Sequence, residues 1–218
     1  MDWRIELVQA GQLEQHEYKG KAWETAIYKR ALAGPVQVTP LGIAGDQHTG
    51  GTFDPDRAVC VHPVATYEYW RAYFRRDIPL GFFGENLTVS GLLDEQVCVG
   101  DIVRCGSALL QVTQPRTPCH KPADKLGEPA LLKLTLQTGK LGFLLRVLEP
   151  GTLQAGDAFE LIERPHPTAN LVFVNRIRYQ PDNHAAAAEL AALDALAYLW
   201  QLHFAARSAP HEEAIAAY

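Results

Sequence analysis

One cysteine stands among basic side chains in a proline-stiffened segment, residues 115–121, which reads PRTPCHK. A thiolate is a good nucleophile or soft-metal ligand when nearby positive charge lowers its pKa. Arg116, His120 and Lys121 could supply that charge beside Cys119. Because the two prolines fix φ and lack a backbone donor, we expect a loop here rather than a helix. The competing interpretation is that Cys119 is simply a small buried hydrophobe.

Two glycine-rich polar runs are further candidates for chemistry: residues 45–51, GDQHTGG, and residues 84–88, GENLT. Glycines let backbone amides approach an anion closely, and successive amides in such a turn can form a phosphate-binding nest. Both runs are equally compatible with ordinary polar turns. The polar side chains of interest in them are Asp46, His48, Glu85 and Asn86.

Lys29 and Arg30 lie at the end of a predicted strand, residues 25–28. They would provide counter-charge for an anion if they point to the same side as the cysteine segment. They could equally form a solvated strand edge that discourages pairing with another chain.

The cysteines and histidines do not follow a structural zinc pattern. Cys60 with His62, and Cys119 with His120, are single pairs without a second pair at zinc spacing, and no HExxH is present. A cysteine-protease mechanism needs a base that turns toward the thiol, and an immediate sequence neighbour is poorly placed for that. Neither class is therefore favoured.

Composition limits the class of protein and partner. The chain has 218 residues, 47% of them hydrophobic, and a formal net charge of -5. That length can bury a substantial core, and the charge argues against binding a nucleic-acid polymer while leaving room for a local basic pocket. The charged N-terminus and the lack of a membrane-length apolar run predict a cytosolic protein without a membrane segment. We expect its four cysteines to be free thiols.

Short strand-like runs separated by Gly, Pro and Asp fill residues 22–163 and predict an all-β barrel or sandwich. The runs are residues 25–28, 58–61, 86–89, 102–104, 109–112, 143–147 and 159–162. One helix is predicted after Pro63, and its aromatic residues are expected to pack in the core. Those residues are Tyr67, Trp70, Tyr73 and Phe74.

After Glu163, the run RPHP at residues 164–167 predicts a stiff linker into an alanine-rich second module. There a 3-4-3-4 spacing predicts one amphipathic helix that begins near Asp182 or Asn183. Its apolar stripe is Leu190, Leu193, Ala197, Trp200 and Phe204. Residues 171–179 are compatible with a strand or a helix. The stripe favours packing on a neighbouring element, and a partner-binding or homodimer helix is the alternative.

Several motifs in the same order resemble the MOSC domain, the molybdenum-cofactor-sulfurase C-terminal domain family. They are the GENLTVSG run at 84–91, VGD at 99–101 and QVTQPRTPC at 111–119. Residues 25–46 and the C-terminal tail are similar to the YiiM-like subgroup of that family. The resemblance implies a mainly β fold, a MOSC-type β-barrel with peripheral helices at residues 1–164. It also implies a three-helix α-helical module at residues 165–218.

The resemblance also implies a molybdenum cofactor, with Cys119 as the metal ligand and as one of the catalytic residues. The other residues that could supply protons are Asp46, His48, Glu85 and His120. The implied cofactor contacts are Lys29, Arg57, Asn86, Arg116, Thr117, His120 and Lys121. The subgroup commonly has HGGPDKAV where this chain has FDPDRAV, residues 53–59, and His48 could substitute for the missing histidine.

The implied activity is reduction of small N-hydroxylated compounds, for example N-hydroxylated purines. Since no flavin, haem or iron–sulfur motif is visible in the sequence, a separate electron-donating reductase is implied as partner. Two alternatives use the same residues. Cys119 could carry a persulfide and transfer sulfur, or the domain could bind the cofactor without catalysis.

Overall fold

The computed structural model describes residues 2–18, 20–47, 54–180 and 182–208. The strands are β1 (Arg4–Ala10), β2 (Glu14–Tyr18), β3 (Lys21–Thr25), β4 (Arg30–Ala31), β5 (Val36–Thr39), β6 (Gly42–Ile43), β7 (Val59–Pro63), β8 (Leu87–Ser90), β9 (Ile102–Cys105), β10 (Ala108–Pro115), β11 (Phe143–Glu149), β12 (Gly151–Leu153) and β13 (Phe159–Glu163). The helices are α1 (Val64–Phe74), α2 (His120–Leu126), α3 (Ala130–Thr138), α4 (Leu171–Tyr179), α5 (His184–Ala191) and α6 (Tyr198–Ala205). Among these residues no helix is long and apolar enough to cross a membrane.

An eight-stranded sheet with the order β13-β9-β10-β11-β7-β8-β1-β4 dominates the fold. Its neighbouring strands are antiparallel apart from the parallel pair β7 and β8. At its centre, Leu144 of β11 pairs with Cys60 of β7 on one side and with Gln114 of β10 on the other. The segment that leaves β10 at Pro115 therefore starts two strands away from β7, which carries Cys60, with β11 between them.

The sheet is not a closed barrel. Its strand ladders leave β13 and β4 at the ends, and β1 meets the start of β13 only through an isolated bridge between Arg4 and Ala158. Next to this bridge, the Phe159 amide donates to the Trp3 carbonyl at 2.9 Å. The structure thus confirms the coarser expectation, a sheet-dominated fold with helices. The predicted β-barrel is not confirmed.

The C-terminal helices share the core of the sheet. Buried side chains of α4, α5 and α6, among them Val174, Leu190 and Phe204, belong to the same apolar cluster as Val8 and Leu110 of the sheet. Burial of this kind contributes roughly 25 cal/mol per Å² of apolar surface. The three helices are thereby fixed to the sheet, and the domain boundary at residues 164 and 165 stays a prediction.

The predicted single C-terminal helix is wrong, because α5 ends at Ala191 and α6 begins at Tyr198. A turn closed by the Leu196 amide on the Leu193 carbonyl, at 3.1 Å, separates the two helices. The cap expected near Asn183 is present: its side-chain oxygen accepts from the Ala186 amide at 3.1 Å. Both helices keep one face in the core, so the apolar spacing continues across a break that the pattern does not reveal.

Three local expectations are corrected. Only Thr25 of the predicted strand at residues 25–28 belongs to a strand, β3. The predicted loop at 115–121 ends at Cys119, because α2 begins at His120 and a proline in the first helical turn loses no intrahelical hydrogen bond. In α1, Tyr67 and Trp70 are fully buried, whereas Tyr73 is 53% exposed.

Candidate functional site

Most of the predicted site residues line one pocket of about 190 Å³, here called the polar pocket. It opens between the end of β3, the middle of β7 and the segment that joins β10 to α2. The predicted residues that line it are Lys29, Asp46, Arg57, Asn86, Arg116, Thr117, Cys119 and Lys121. Four of these side chains are cationic and one is a thiol, so the pocket suits an anionic ligand that also presents a soft metal.

Cys119 occupies the N-cap position of α2, with extended backbone angles of φ -135° and ψ 165°. Its side chain is partly buried and makes no capping hydrogen bond. The chain turns at this residue from the loop into the helix, and the thiol borders the polar pocket. Cys119 is therefore available to a ligand in that pocket rather than sealed in the core.

Arg116 brings a positive charge without a partner into the polar pocket. Its amide donates to the Gly142 carbonyl at 3.0 Å, which anchors the backbone, but within residues 2–18, 20–47, 54–180 and 182–208 its guanidinium has no hydrogen bond or ion pair. Burial lowers the pKa of Arg116, yet the nearby thiols of Cys60 and Cys119 and the Glu85 carboxyl raise it by more. The guanidinium stays charged and free to bind an anion.

Lys29, in contrast, is neutralised by Asp46. The two side chains form a short ion pair and are only 4% and 6% exposed. The Asp46 carboxylate also accepts from the Gly11 amide at 2.7 Å and from the Asn86 side chain at 2.8 Å. Because Asp46 accepts three hydrogen bonds, Lys29 offers less charge to a ligand than its sequence position suggests.

Asn86 links the wall of the pocket to two strands. Its side-chain amide donates to the Gln9 carbonyl at 3.3 Å, and its side-chain oxygen accepts from the Cys60 amide at 3.0 Å. The Asn86 amide in turn donates to the Cys60 carbonyl at 2.8 Å. With its groups engaged in this way, Asn86 holds the pocket wall in shape.

Arg57 ends a short 3₁₀ turn, Pro55–Arg57, which the side chain of Asp54 caps. Its Nε is buried and has no hydrogen-bond partner among the described residues. The preceding Asp56 accepts from Arg146 at 3.0 Å and from the Tyr198 amide at 2.9 Å. Arg57 therefore lines the polar pocket from a turn that is tied to α6, and its buried Nε lacks an acceptor.

Lys121 supplies the fourth cation. Its Nζ donates to the Thr25 hydroxyl at 3.3 Å and lies 5.1 Å from the ring centroid of Trp23. The contact spans 96 residues of sequence and brings α2 to the end of β3. Lys121 thus joins two walls of the polar pocket and places its ammonium group at the side of that pocket.

Two predicted residues lie outside the polar pocket. Glu85 is fully buried, and its Oε1 accepts from the Tyr67 hydroxyl at 2.5 Å and the Thr88 hydroxyl at 2.7 Å. His120 is exposed and forms a short contact with Asp124 one turn further along α2. Glu85 and His120 thus do not line the polar pocket with Cys119, and their catalytic and cofactor roles stay predictions. His48 lies outside the described residues.

Cys60 also lines the polar pocket and was considered in the sequence only as a zinc ligand. Burial raises the pKa of its thiol, and the Arg116 charge lowers it to a smaller extent. All five residues of β7 are buried, so alternation along the strand gives no signal that Cys60 faces a pocket. All four cysteines are free, as expected.

The described residues contain no cluster of three or more His, Cys, Asp and Glu side chains that could hold a metal ion unaided. A metal at Cys119 would need most of its ligands from another molecule. The residues present fit an anionic metal-carrying cofactor, since the polar pocket combines the Cys119 thiol with the unpaired guanidinium of Arg116 and with Arg57, whose buried Nε lacks a partner.

Comparison with known proteins places these features in a family. The MOSC domain family model matches residues 46–160. The uncharacterized protein YflK of Bacillus subtilis is 38% identical over 200 residues, 89% of each chain. A protein of Gibberella moniliformis named "Reductase" is 38% identical over 178 residues, which cover 78% of this chain and 31% of that protein. The crystal structure of YiiM from Geobacillus stearothermophilus superposes with a TM-score of 0.81 at 36% identity, over 95% of this chain and 100% of that one.

Proposed function

Because the chain belongs to the MOSC domain family, we propose that it is a molybdenum-cofactor-dependent reductase of small N-hydroxylated compounds, with Cys119 as the metal ligand. The observation that carries this proposal is the thiol of Cys119 beside the unpaired guanidinium of Arg116 in the polar pocket. A relative that is 38% identical over 178 residues is named "Reductase", which supports the reaction class.

The cofactor, when bound, supplies the two-electron chemistry, and the protein binds and orients it. Arg116 and Arg57 would hold its anionic group through charge-assisted hydrogen bonds, and Lys121 would add positive charge at the side of the pocket. Asp46 and Asn86 maintain the opposite wall. Reduction of an N–OH group to N–H consumes two electrons and two protons and releases water.

Protons reach the substrate from groups that line the polar pocket or from solvent at its mouth. Of the candidate donors at described positions, only Asp46 lines the pocket, and its carboxylate already accepts three hydrogen bonds. Asp46 therefore serves to position Lys29 and Asn86 rather than to donate protons. Electrons come from a separate cytoplasmic reductase.

The direct test is metal analysis and turnover of protein produced in a cofactor-making host. Wild-type protein should contain stoichiometric molybdenum and reduce a hydroxylamino substrate when a chemical reductant is supplied. Cys119→Ser should lose both properties, because a hydroxyl is a poor ligand for a soft metal. Cys98→Ser, at a cysteine that does not line the polar pocket, is the matched control.

Two results would contradict the proposal. A persulfide on Cys119 in metal-free native protein would identify a sulfur carrier. Cofactor binding that is unchanged in Cys119→Ser, without turnover, would identify a non-catalytic binding domain.

A further inference from the structure

The start of α6 is capped by a side chain that is distant in the sequence. The first amides of a helix have no acceptor within the helix, and the N-cap residue of α6, Ala197, makes no side-chain capping bond. The Tyr198 amide instead donates to the Asp56 carboxylate at 2.9 Å, across 142 residues of sequence. A carboxylate is favoured there because the helix dipole places partial positive charge at the N-terminus. Asp56, the residue before Arg57 of the polar pocket, thus caps α6.

Asp56 is also bound to two strands of the central sheet. The other oxygen of its carboxylate pairs with Arg146 of β11 at 3.0 Å, and both side chains are largely shielded from solvent. The same Arg146 nitrogen donates to the Ala195 carbonyl, in the turn before α6, at 3.1 Å. The Asp56 carbonyl accepts from the Thr113 hydroxyl of β10 at 2.6 Å, and the Thr113 carbonyl accepts from the Ala197 amide at 3.1 Å. One residue thus joins β10, β11 and the start of α6.

The position of Arg57 depends on the turn that Asp56 fixes. Arg57 is the last residue of the 3₁₀ turn Pro55–Arg57, and it lines the polar pocket. Its Nε has no partner in the described part of the chain, so no hydrogen bond from that nitrogen holds the side chain in place. The chain enters β7 two residues later, at Val59. The sheet therefore anchors the end of this segment, and the contacts of Asp56 anchor its middle.

We propose that Asp56 is a positioning residue for anion binding, which couples the start of α6 to the side chain of Arg57. The inference rests on the proposed function, because it takes the polar pocket as the anion site, and it gives the C-terminal helices a role in that site. The apparent affinity of a ligand falls with the fraction of protein in the binding-competent conformation. Loosening the turn at Asp56 should therefore weaken anion binding.

The sign of the effect separates this role from a purely electrostatic one. Asp56 carries a negative charge one residue before Arg57, so by charge alone its removal should strengthen the binding of an anion. If Asp56 acts by positioning Arg57, its removal should weaken that binding. A role in folding alone predicts a lower free energy of unfolding with unchanged anion affinity in the folded protein.

The test is calorimetric titration of cofactor-free protein with inorganic phosphate. Tyr198→Pro removes the amide donor and keeps the charge of Asp56, and proline is tolerated at the first residue of a helix. The preceding Ala197, at φ -56° and ψ 136°, already has a backbone that suits a following proline. Tyr198→Pro should bind phosphate about 3- to 10-fold more weakly than wild type, the effect of one lost hydrogen bond. Tyr198→Ala is the matched control: it loses the same exposed ring but keeps the amide, and should bind as wild type does.

Variants of Asp56 and Arg57 complete the test. Asp56→Ala removes both carboxylate contacts and should weaken phosphate binding by a similar factor, although it also removes a negative charge. Asp56→Asn keeps an oxygen that can accept from the Tyr198 amide, so it should recover part of the loss. In an Arg57→Leu background, Tyr198→Pro should cause no further loss, because the side chain that it misplaces is gone. Urea denaturation checks that each titrated variant is folded.

The inference is overturned if wild type does not bind phosphate, if Tyr198→Pro binds it as tightly as wild type, or if the loss in Tyr198→Pro persists in the Arg57→Leu background. If Tyr198→Pro does not fold, Asp56→Ala decides by the sign of its effect. Phosphate binding stronger than in wild type would show that Asp56 acts through its charge. Failure of the proposed function appears differently, as missing molybdenum and turnover in wild type with these phosphate affinities unchanged.

Discussion

The polar pocket and a smaller pocket beside it, the apolar pocket lined by His62, Trp70 and Phe83 among others, share the wall around Cys119 but differ in which polar groups lack a partner. In the polar pocket the unpaired groups are cationic, the guanidinium of Arg116 and the Nε of Arg57. In the apolar pocket they are neutral ring nitrogens, those of His62 and Trp70. Unpaired buried groups indicate the chemistry of a missing partner. The difference is that cationic groups are unpaired on one side of Cys119 and neutral ring nitrogens on the other.

The polar pocket itself has a paired wall and an unpaired wall. Lys29 is bonded to Asp46, whereas Arg116 has no bonded partner among the described residues. If this distinction is correct, removing a paired charge should mainly affect stability and removing an unpaired charge should mainly affect binding.

The largest effect is expected for Asp46→Ala. This change leaves the Lys29 ammonium buried without its partner, which costs about 3–5 kcal/mol in free energy of unfolding. Urea denaturation measures the loss. The double variant Asp46→Ala with Lys29→Met should recover much of it, because no unpaired charge remains. A loss below about 1 kcal/mol in the single variant would show that the pair is well solvated.

Arg116→Leu should show the opposite behaviour. Inorganic phosphate should bind about 10- to 100-fold more weakly, since a charge-assisted hydrogen bond contributes about 1.5–3 kcal/mol. The free energy of unfolding should stay the same or rise, because an apolar side chain replaces a desolvated charge. Arg104→Leu, at an exposed arginine of β9, is the control for a changed net charge. Equal losses of phosphate affinity in both variants would exclude a specific contact.

Six of the eight strands of the central sheet, β7 to β11 and β13, were predicted because β-branched and apolar runs between glycine and proline turns specify them locally. The other two, β1 and β4, lie outside the predicted strand runs. The break between α5 and α6 was not predicted, since both helices pack the same face on the core and the apolar spacing continues through Leu193 and Ala197. The start of α2 at His120 was missed because Pro122 falls in the first turn, where a proline is tolerated.

The residues of the candidate site were likewise predictable only in part. Cys119, Arg116 and Lys121 were found because they lie together in the sequence, although adjacency also suggested His120, which the helix turns toward Asp124. Cys60 was missed because its place near the segment that follows β10 is set by strand pairing between residues far apart in the sequence, and not by a local pattern. Leu144 of β11 pairs with Cys60 of β7 on one side and with Gln114 of β10 on the other. Whether a cation is paired also depends on such distant contacts.

The neutral state of His62 gives a pH test of the apolar pocket. Because burial lowers its pKa in the folded protein, the unfolded chain binds more protons below its ordinary pKa of about 6.5. Stability should therefore fall as pH decreases through and below that value, by roughly 1 kcal/mol between pH 7 and 5.5. In His62→Phe this part of the pH dependence should disappear in urea denaturation at the two pH values. An unchanged slope would mean that the folded protein protonates His62.

The smallest effect is expected at Lys121, where the comparison between paired and unpaired cations becomes quantitative. Its ammonium group already contacts the Thr25 hydroxyl and the Trp23 ring, and its side chain is only half-buried. Solvent-screened charges of this kind contribute about 0.2–1 kcal/mol, so Lys121→Gln should weaken phosphate binding by about two- to fivefold. The loss should shrink further as salt rises, whereas the loss in Arg116→Leu should persist, because a buried contact is screened less. Lys133→Gln, at an exposed lysine of α3 that lines neither pocket, should leave phosphate affinity unchanged. Equal, salt-sensitive losses at Lys121 and Arg116 would mean that the polar pocket attracts anions through its overall charge, with no anion held by one unpaired guanidinium.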